Sequence, residues 1–162
     1  MTVMGVRGCI SDMGQFLGKV SAIEKRSSAT VQFFRADRIF GAVHLESAAE
    51  KAIRAMESGR AMSRTLGMEI MLYAAAERQT SEALRKLGIA KGMTEMALVI
   101  VGSITGEEVL KALDLERDDS VLESGGKDYS IFGISQAEID MIGEPKIPEL
   151  VLERIAISEL ER

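Results

Sequence analysis

The chain has 162 residues, of which 46% are hydrophobic and 28% charged, with a formal net charge of −5. That length suits one domain able to bury about two thirds of the surface its unfolded form exposes. A single cysteine, Cys9, excludes an intramolecular disulfide and a multi-cysteine zinc site, the lack of any apolar run of about eighteen residues excludes a transmembrane helix, and the acidic balance argues against a general nucleic-acid binder.

Thr2 to Ile10 alternates weakly and contains Gly5 and Gly8, which predicts a strand with a bulge or a close backbone neighbour, and Cys9 is expected to be buried in it. Ser11 and Asp12 are helix N-caps. Phe16, Leu17, Val20 and Ile23 then recur at helical spacing until Lys25 and Arg26 complete the C-terminus. Ala29 to Phe34 predicts a second strand with Val31 and Phe33 on one face and Gln32 and Phe34 on the other. After an irregular connection, an alanine-rich helix is expected from about Leu45 to Ser58, packing through Ala49, Ala52, Ile53 and Met56 and stopped by Gly59. His44, the only histidine, sits beside its start and reads as a cap or packing residue.

The stretch from Gly59 to Gly102 organises the rest. Leu66, Ile70, Tyr73 and Ala74 form one helix face and Met68, Met71, Leu72 and Ala75 the opposite one, which predicts a helix buried all round. Arg64, Thr65 and Glu69 interrupt it, and a buried Glu69 requires a cation or amide donors. Thr80 is expected to cap a shorter helix through Leu87, with Gly88 in a left-handed C-terminal position. Met96 to Val101 is continuously apolar and predicts the middle strand of the sheet.

Thr105 and Glu108 have capping-box spacing and open a helix through Leu113. Tyr129 to Phe132 reads as an edge strand, and Ser135 with Glu138 opens a helix that Gly143 ends. Pro148 begins a final helix running to Leu160. The expected class is therefore α/β (α+β): a single compact domain over residues 1–162, with a small mixed or mainly antiparallel sheet flanked by helices.

No Gly-rich phosphate loop occurs, a triad would have to use His44, and the carboxylates of 107–123 lack the apolar surroundings that would shift them. No catalytic residue, metal or cofactor is expected. The single thiol and the lack of a leader-like start point to a reducing cytoplasm.

Residues 63–89, SRTLGMEIMLYAAAERQTSEALRKLGI, and 94–101, TEMALVIV, resemble the Cgi/TPRKB family, the small kinase-binding subunit of the KEOPS (EKC) complex. The shared order is Arg64-Thr65-Leu66, Glu69-Ile70, Thr80 to Leu84, a basic Arg85-Lys86 pair and Gly88-Ile89. Asp37 to Phe40, the alanine-rich helix and LVLERIAISEL at 150–160 look like the archaeal branch. The resemblance implies a compact non-catalytic subunit. Its partners would be the small KEOPS kinase/ATPase, indirectly the other KEOPS subunits, and the tRNA 3′ CCA end, in support of threonylcarbamoyladenosine formation next to the anticodon; no membrane is implied.

Charge then suggests where RNA would lie. Residues 51–91 carry eight basic and four acidic side chains, against six and sixteen in 92–162. The expected RNA contacts are Arg60, Arg64, Arg78, Arg85, Lys86 and Lys91, each otherwise a solvated cation or an internal partner of Glu69 or Glu82. Excess apolar residues on the last helix, Leu150, Val151, Leu152, Ile155 and Ile157, are the expected kinase contact, against an ordinary core role. A regulator that binds the kinase without touching RNA is the alternative; an enzyme would need a pocket of convergent polar groups.

Overall fold

The computed structural model describes residues 1–162. Its centre is a sheet of four strands, β1 (Thr2–Arg7), β2 (Thr30–Arg35), β3 (Glu95–Val101) and β4 (Glu116–Arg117), in the order β2-β3-β1-β4 with every pair antiparallel. The apolar run is thus an interior strand, as its pattern requires: Met96 to Ile100 are all buried. Val99 lies opposite Val3 on one side and Gln32 on the other.

Helices cover both faces. Met4, Val6, Val31, Phe33, Met96, Leu98 and Ile100 meet α1 (Met13–Ser27) and α5 (Gly106–Leu113) through Phe16, Val20, Ile23, Val109, Leu110 and Leu113. On the opposite face Phe34, Ala97 and Val99 meet α2 (Ala42–Glu57) and α3 (Leu66–Ala75), with α4 (Thr80–Leu87) and α7 (Ile147–Leu160) packed into the same core. The small helix α6 (Gln136–Ile142) carries the expected capping box between Ser135 and Glu138.

α3 is buried all round, from Ile70 through Ala75 together with Gly67 and Glu69. Its alanines and those of α2 let the two helices approach closely; the α2 stripe is Leu45, Ala48, Ala49, Ala52 and Ala55. That stripe is rotated from the expected one, leaving Ile53 half-buried and Met56 exposed, and the helix begins three residues earlier, at Ala42.

Several local expectations are corrected. β1 ends at Arg7, so Cys9 lies beyond the strand and is exposed. Gly5 does mark a close backbone neighbour: its carbonyl accepts from the Asp118 amide at 2.8 Å and its amide donates to Asp119 Oδ1 at 3.0 Å. Thr80 is the first helical residue of α4 and Gln79 its N-cap, without a side-chain bond. Gly88 is extended (φ −68°, ψ 146°) rather than left-handed; it is needed because a Cβ would stand 2.5 Å from the Leu84 carbonyl. Tyr129 to Phe132 forms no strand. Asp128 Oδ1 accepts from the Ser130 amide at 3.0 Å and winds Ser130–Phe132 into a 3-10 turn, a local bond that competes with sheet pairing. The sheet's edges are instead β2 and the two-residue β4.

Candidate functional site

His44 is fully buried, and both ring nitrogens are engaged: Nδ1 accepts from the Phe40 amide at 3.1 Å, which leaves Nε2 to donate to the Ala74 carbonyl at 2.8 Å. Burial lowers its pKa to about 4, against the opposing effect of the Ala74 bond. A neutral imidazole locked between two backbone groups, with Phe132 packed against it at a 5.4 Å centroid distance, is a structural tie between α2 and α3.

The cations expected to meet RNA fall into different situations. Lys86 is largely buried in an ion pair with Glu77 at 2.5 Å, and Arg85 is exposed but paired with Glu82 at 2.9 Å one helical turn away. Arg78 donates to the Glu161 carbonyl at 2.6 Å on the rim of an open depression of about 680 Å³ that also contains Glu77, Glu82 and Glu161. Arg60 donates to Ser58 Oγ at 3.0 Å and lines a smaller depression of about 290 Å³ with Tyr73, Glu159 and Arg162. Arg64 and Lys91 are exposed and have no ion-pair partner. Arg60 and Arg64 thus share the loop before α3, Arg78 lies beside the end of α7, and Lys91 sits on the turn whose Gly92 amide donates to the Ile10 carbonyl. Arg38, absent from the expected set, donates to the carbonyls of Arg85 and Lys86 at the C-terminus of α4.

Arg64 precedes α3 and does not serve Glu69; Thr65 is the N-cap, accepting from the Met68 amide. The cation that meets Glu69 is Arg162, at 2.5 Å and from the far end of the chain. Sequence spacing could not disclose a pairing across ninety-three positions.

The surface expected to meet a kinase divides in the same way. Val151 and Ile155 have no exposure and belong to the core, which removes them from any docking face. Leu150 and Leu152 are half-buried and Ile157 is 43% exposed, so α7 presents scattered apolar groups rather than a continuous face.

A continuous one lies elsewhere. A groove of about 540 Å³ runs between α1, edge strand β2 and the α3–α4 pair, floored by Val20, Val31, Phe33 and Met71 and flanked by Met13, Leu17, Met68, Leu84 and Ile89. Leu17 and Leu84 are 50% and 44% exposed on its two banks. The backbone edge of β2 is blocked there by side chains: Glu24 accepts from the Val31 amide at 2.9 Å, and Gln32 donates to the Phe33 carbonyl at 3.3 Å. The groove therefore offers apolar side chains, among them the adaptable and half-buried Met13 and Met68, rather than a ladder for another strand. Beside Leu17 the outer surface of α1 is low, with Gly14, Gly18 and Ala22 spaced four residues apart; apart from its chain neighbours and the backbone of α1 itself, nothing lies within 4 Å of a Cβ placed on Gly18. A glycine inside a solvated helix costs about 1 kcal/mol relative to alanine, and internal packing does not require this one.

An antiparallel sheet sandwiched by helices, with its lone imidazole consumed structurally and an apolar groove open to solvent, defines a small α/β binding protein. A family model described as kinase binding protein CGI-121 matches residues 11–124, and the chain belongs to that family. Every residue of the apolar groove lies inside the matched segment, whereas α7 lies wholly outside it. A search of curated proteins returned no match. No helix is long and apolar enough to cross a membrane.

Proposed function

We propose that this protein is a non-catalytic adaptor of a KEOPS-type assembly in the cytoplasm. It would hold the complex's small kinase/ATPase in the α1/α3–α4 groove and receive the tRNA 3′ CCA end on the arginine-bearing surface around residues 60–78, supporting threonylcarbamoyladenosine modification of that tRNA. The observation that carries the reading is the apolar groove within the segment that defines a kinase-binding family. Its exposed leucines and half-buried Met13 and Met68 suit the apolar face of a partner helix, and the glycines of α1 admit a partner backbone at close range. Leu150, Leu152 and Ile157 of α7 are the competing kinase surface.

The RNA half rests on Arg60, Arg64 and Arg78, none of which is in direct ion-pair contact with a carboxylate. A second reading, a regulator that activates the kinase without contacting RNA, is favoured by the carboxylates of Glu77, Glu82 and Glu161 that share the depression with Arg78. Titration of the purified chain with one tRNA, with and without its CCA end and across a salt series, separates the two. The adaptor reading expects affinity to fall when CCA is removed, and expects Arg64→Glu to weaken binding and lower the salt slope by about one. Absence of binding to either form at low salt leaves the regulator reading standing.

A further inference from the structure

The buried pair Glu69–Arg162 does more than neutralise itself. Glu69 has no exposure and Arg162 only 8% at its side chain. One carboxylate oxygen, Oε1, accepts from Arg162 Nη1 at 2.5 Å. The other, Oε2, accepts from the amides of Met62 at 3.0 Å and Ser63 at 2.8 Å. A single carboxylate is thus shared between the end of α7 and the loop that carries Arg60 and Arg64. The guanidinium is held in turn by the face of Tyr73, 3.7 Å from its ring centroid, and by a long bond to the Glu77 carbonyl. One residue earlier, the Glu161 carbonyl accepts from Arg78. Residues 161 and 162 therefore touch, directly or through Glu69, the supports of three arginines of the candidate RNA surface.

We propose that Arg162 is a positioning residue for RNA binding: through Glu69 it fixes the 60–65 loop, so that the seating of α7 sets the geometry of Arg60 and Arg64. This rests on the adaptor reading above. The physical reason is the asymmetry of buried charge. With Arg162 in place the carboxylate is compensated and its second oxygen is free to hold two loop amides. Without it, Glu69 is a buried charge with no cation beside it and is driven toward solvent, so its grip on Met62 and Ser63 weakens. Lys51 and Arg54 of α2, which pair with Glu159 at 2.9 and 3.8 Å, fix the same end of α7 and make its displacement a cooperative event.

The test is amide hydrogen exchange on the full chain, with RNA affinity measured beside it. In Arg162→Met, exchange at Met62 and Ser63 accelerates by about tenfold or more while Leu98 and Ile100 of β3 keep their protection. Affinity for a CCA-ended RNA falls about tenfold, and Arg162→Lys recovers part of both effects. The double variant Glu69→Gln/Arg162→Met, which buries no charge and keeps an acceptor for the loop amides, restores protection at 62–63 and serves should Arg162→Met fail to fold. Unchanged exchange at 62–63 in Arg162→Met overturns the proposal, as does accelerated exchange with unchanged RNA affinity. If the unaltered protein binds no RNA, it is the adaptor reading that fails, and the exchange result still shows whether the loop is held from residue 162.

Discussion

Leu17→Glu combined with Leu84→Glu abolishes capture of the partner kinase, with a loss of affinity of about a hundredfold or more. The magnitude follows from where the charges arrive. The two side chains are half-exposed on opposite banks of the apolar groove, so their ends are free in the isolated protein and desolvated only when a partner seats between them. Placing two carboxylates there, beside Glu24, removes anchor contacts and buries unpaired charge, and central apolar anchors of interfaces are each worth about 2–4 kcal/mol. The fold should tolerate the change, because substitutions at exposed positions outside special backbone sites shift stability by about 0.5 kcal/mol. Gly18→Arg gives an independent route to the same loss by lifting the partner off α1, whereas Gly18→Ala stabilises the free protein by about 0.5–1 kcal/mol. Ile157→Glu on α7 leaves capture intact. Capture by the double variant at the affinity of the unaltered protein, with loss in Ile157→Glu, would move the interface to α7. Calorimetry with the purified kinase, beside thermal melts of each variant, reads both quantities.

Acidification from pH 7 to pH 4 removes about 3 kcal/mol of stability through His44 alone. The imidazole has a pKa near 6.5 when unfolded and about 4 in the folded protein, because burial disfavours its charged form. Between those values the unfolded chain binds the proton that the folded chain refuses, so stability falls as pH drops. The full contribution is present above the unfolded pKa, and below about pH 4 this group causes no further loss. The carboxylates act in a lower window. Asp118, held down to about 2 by the Ser120 hydroxyl and by Arg7, begins to cost stability only as pH falls below its ordinary value near 3.8. Urea unfolding at pH 7, 5.5 and 4 should show this loss, and His44→Gln should be less stable at pH 7 yet nearly flat between pH 7 and 5.5, with only the smaller carboxylate loss, Glu138 and Glu159 included, appearing toward pH 4. A slope in His44→Gln as steep as in the unaltered protein would assign the acid sensitivity elsewhere.

Much of the scaffold was readable from local chemistry. The two-sided burial of α3, the interior position of β3, the face assignment of Val31 and Phe33 against Phe34, and the caps at Asp12, Thr105 and Ser135 each depend on residues within a turn or two of one another. What failed depended on partners distant in sequence or on competing local bonds. Tyr129 to Phe132 has strand composition, but Asp128 offers Ser130 a nearer acceptor. Glu69 announced its need for a cation, and the nearby Arg64 was the natural candidate; the tertiary fold supplies Arg162 instead.

The apolar groove was hidden by the same kind of ambiguity. Leu17 sits one residue from Phe16 and reads as part of the core stripe with Val20 and Ile23, yet only those three are buried. Met13 and Leu17, four residues apart, form a second stripe, and Gly18 inside the helix, with Gly14 in its first turn, was the available sign that this side is not packed within the chain. On α7 the spacing of Val151 and Ile155 gave no means of telling an internal face from an external one, since both bury apolar side chains.

The central claim is that one small chain joins a kinase to the tail of a tRNA. The most direct measurement immobilises the cognate kinase and records retention of a labelled CCA-ended tRNA with and without this protein, and with the Leu17→Glu/Leu84→Glu variant in its place. The account predicts retention only when the unaltered protein is present, and its loss when CCA is removed or the groove is charged. A kinase that binds the protein but retains no more tRNA than it does alone would contradict it.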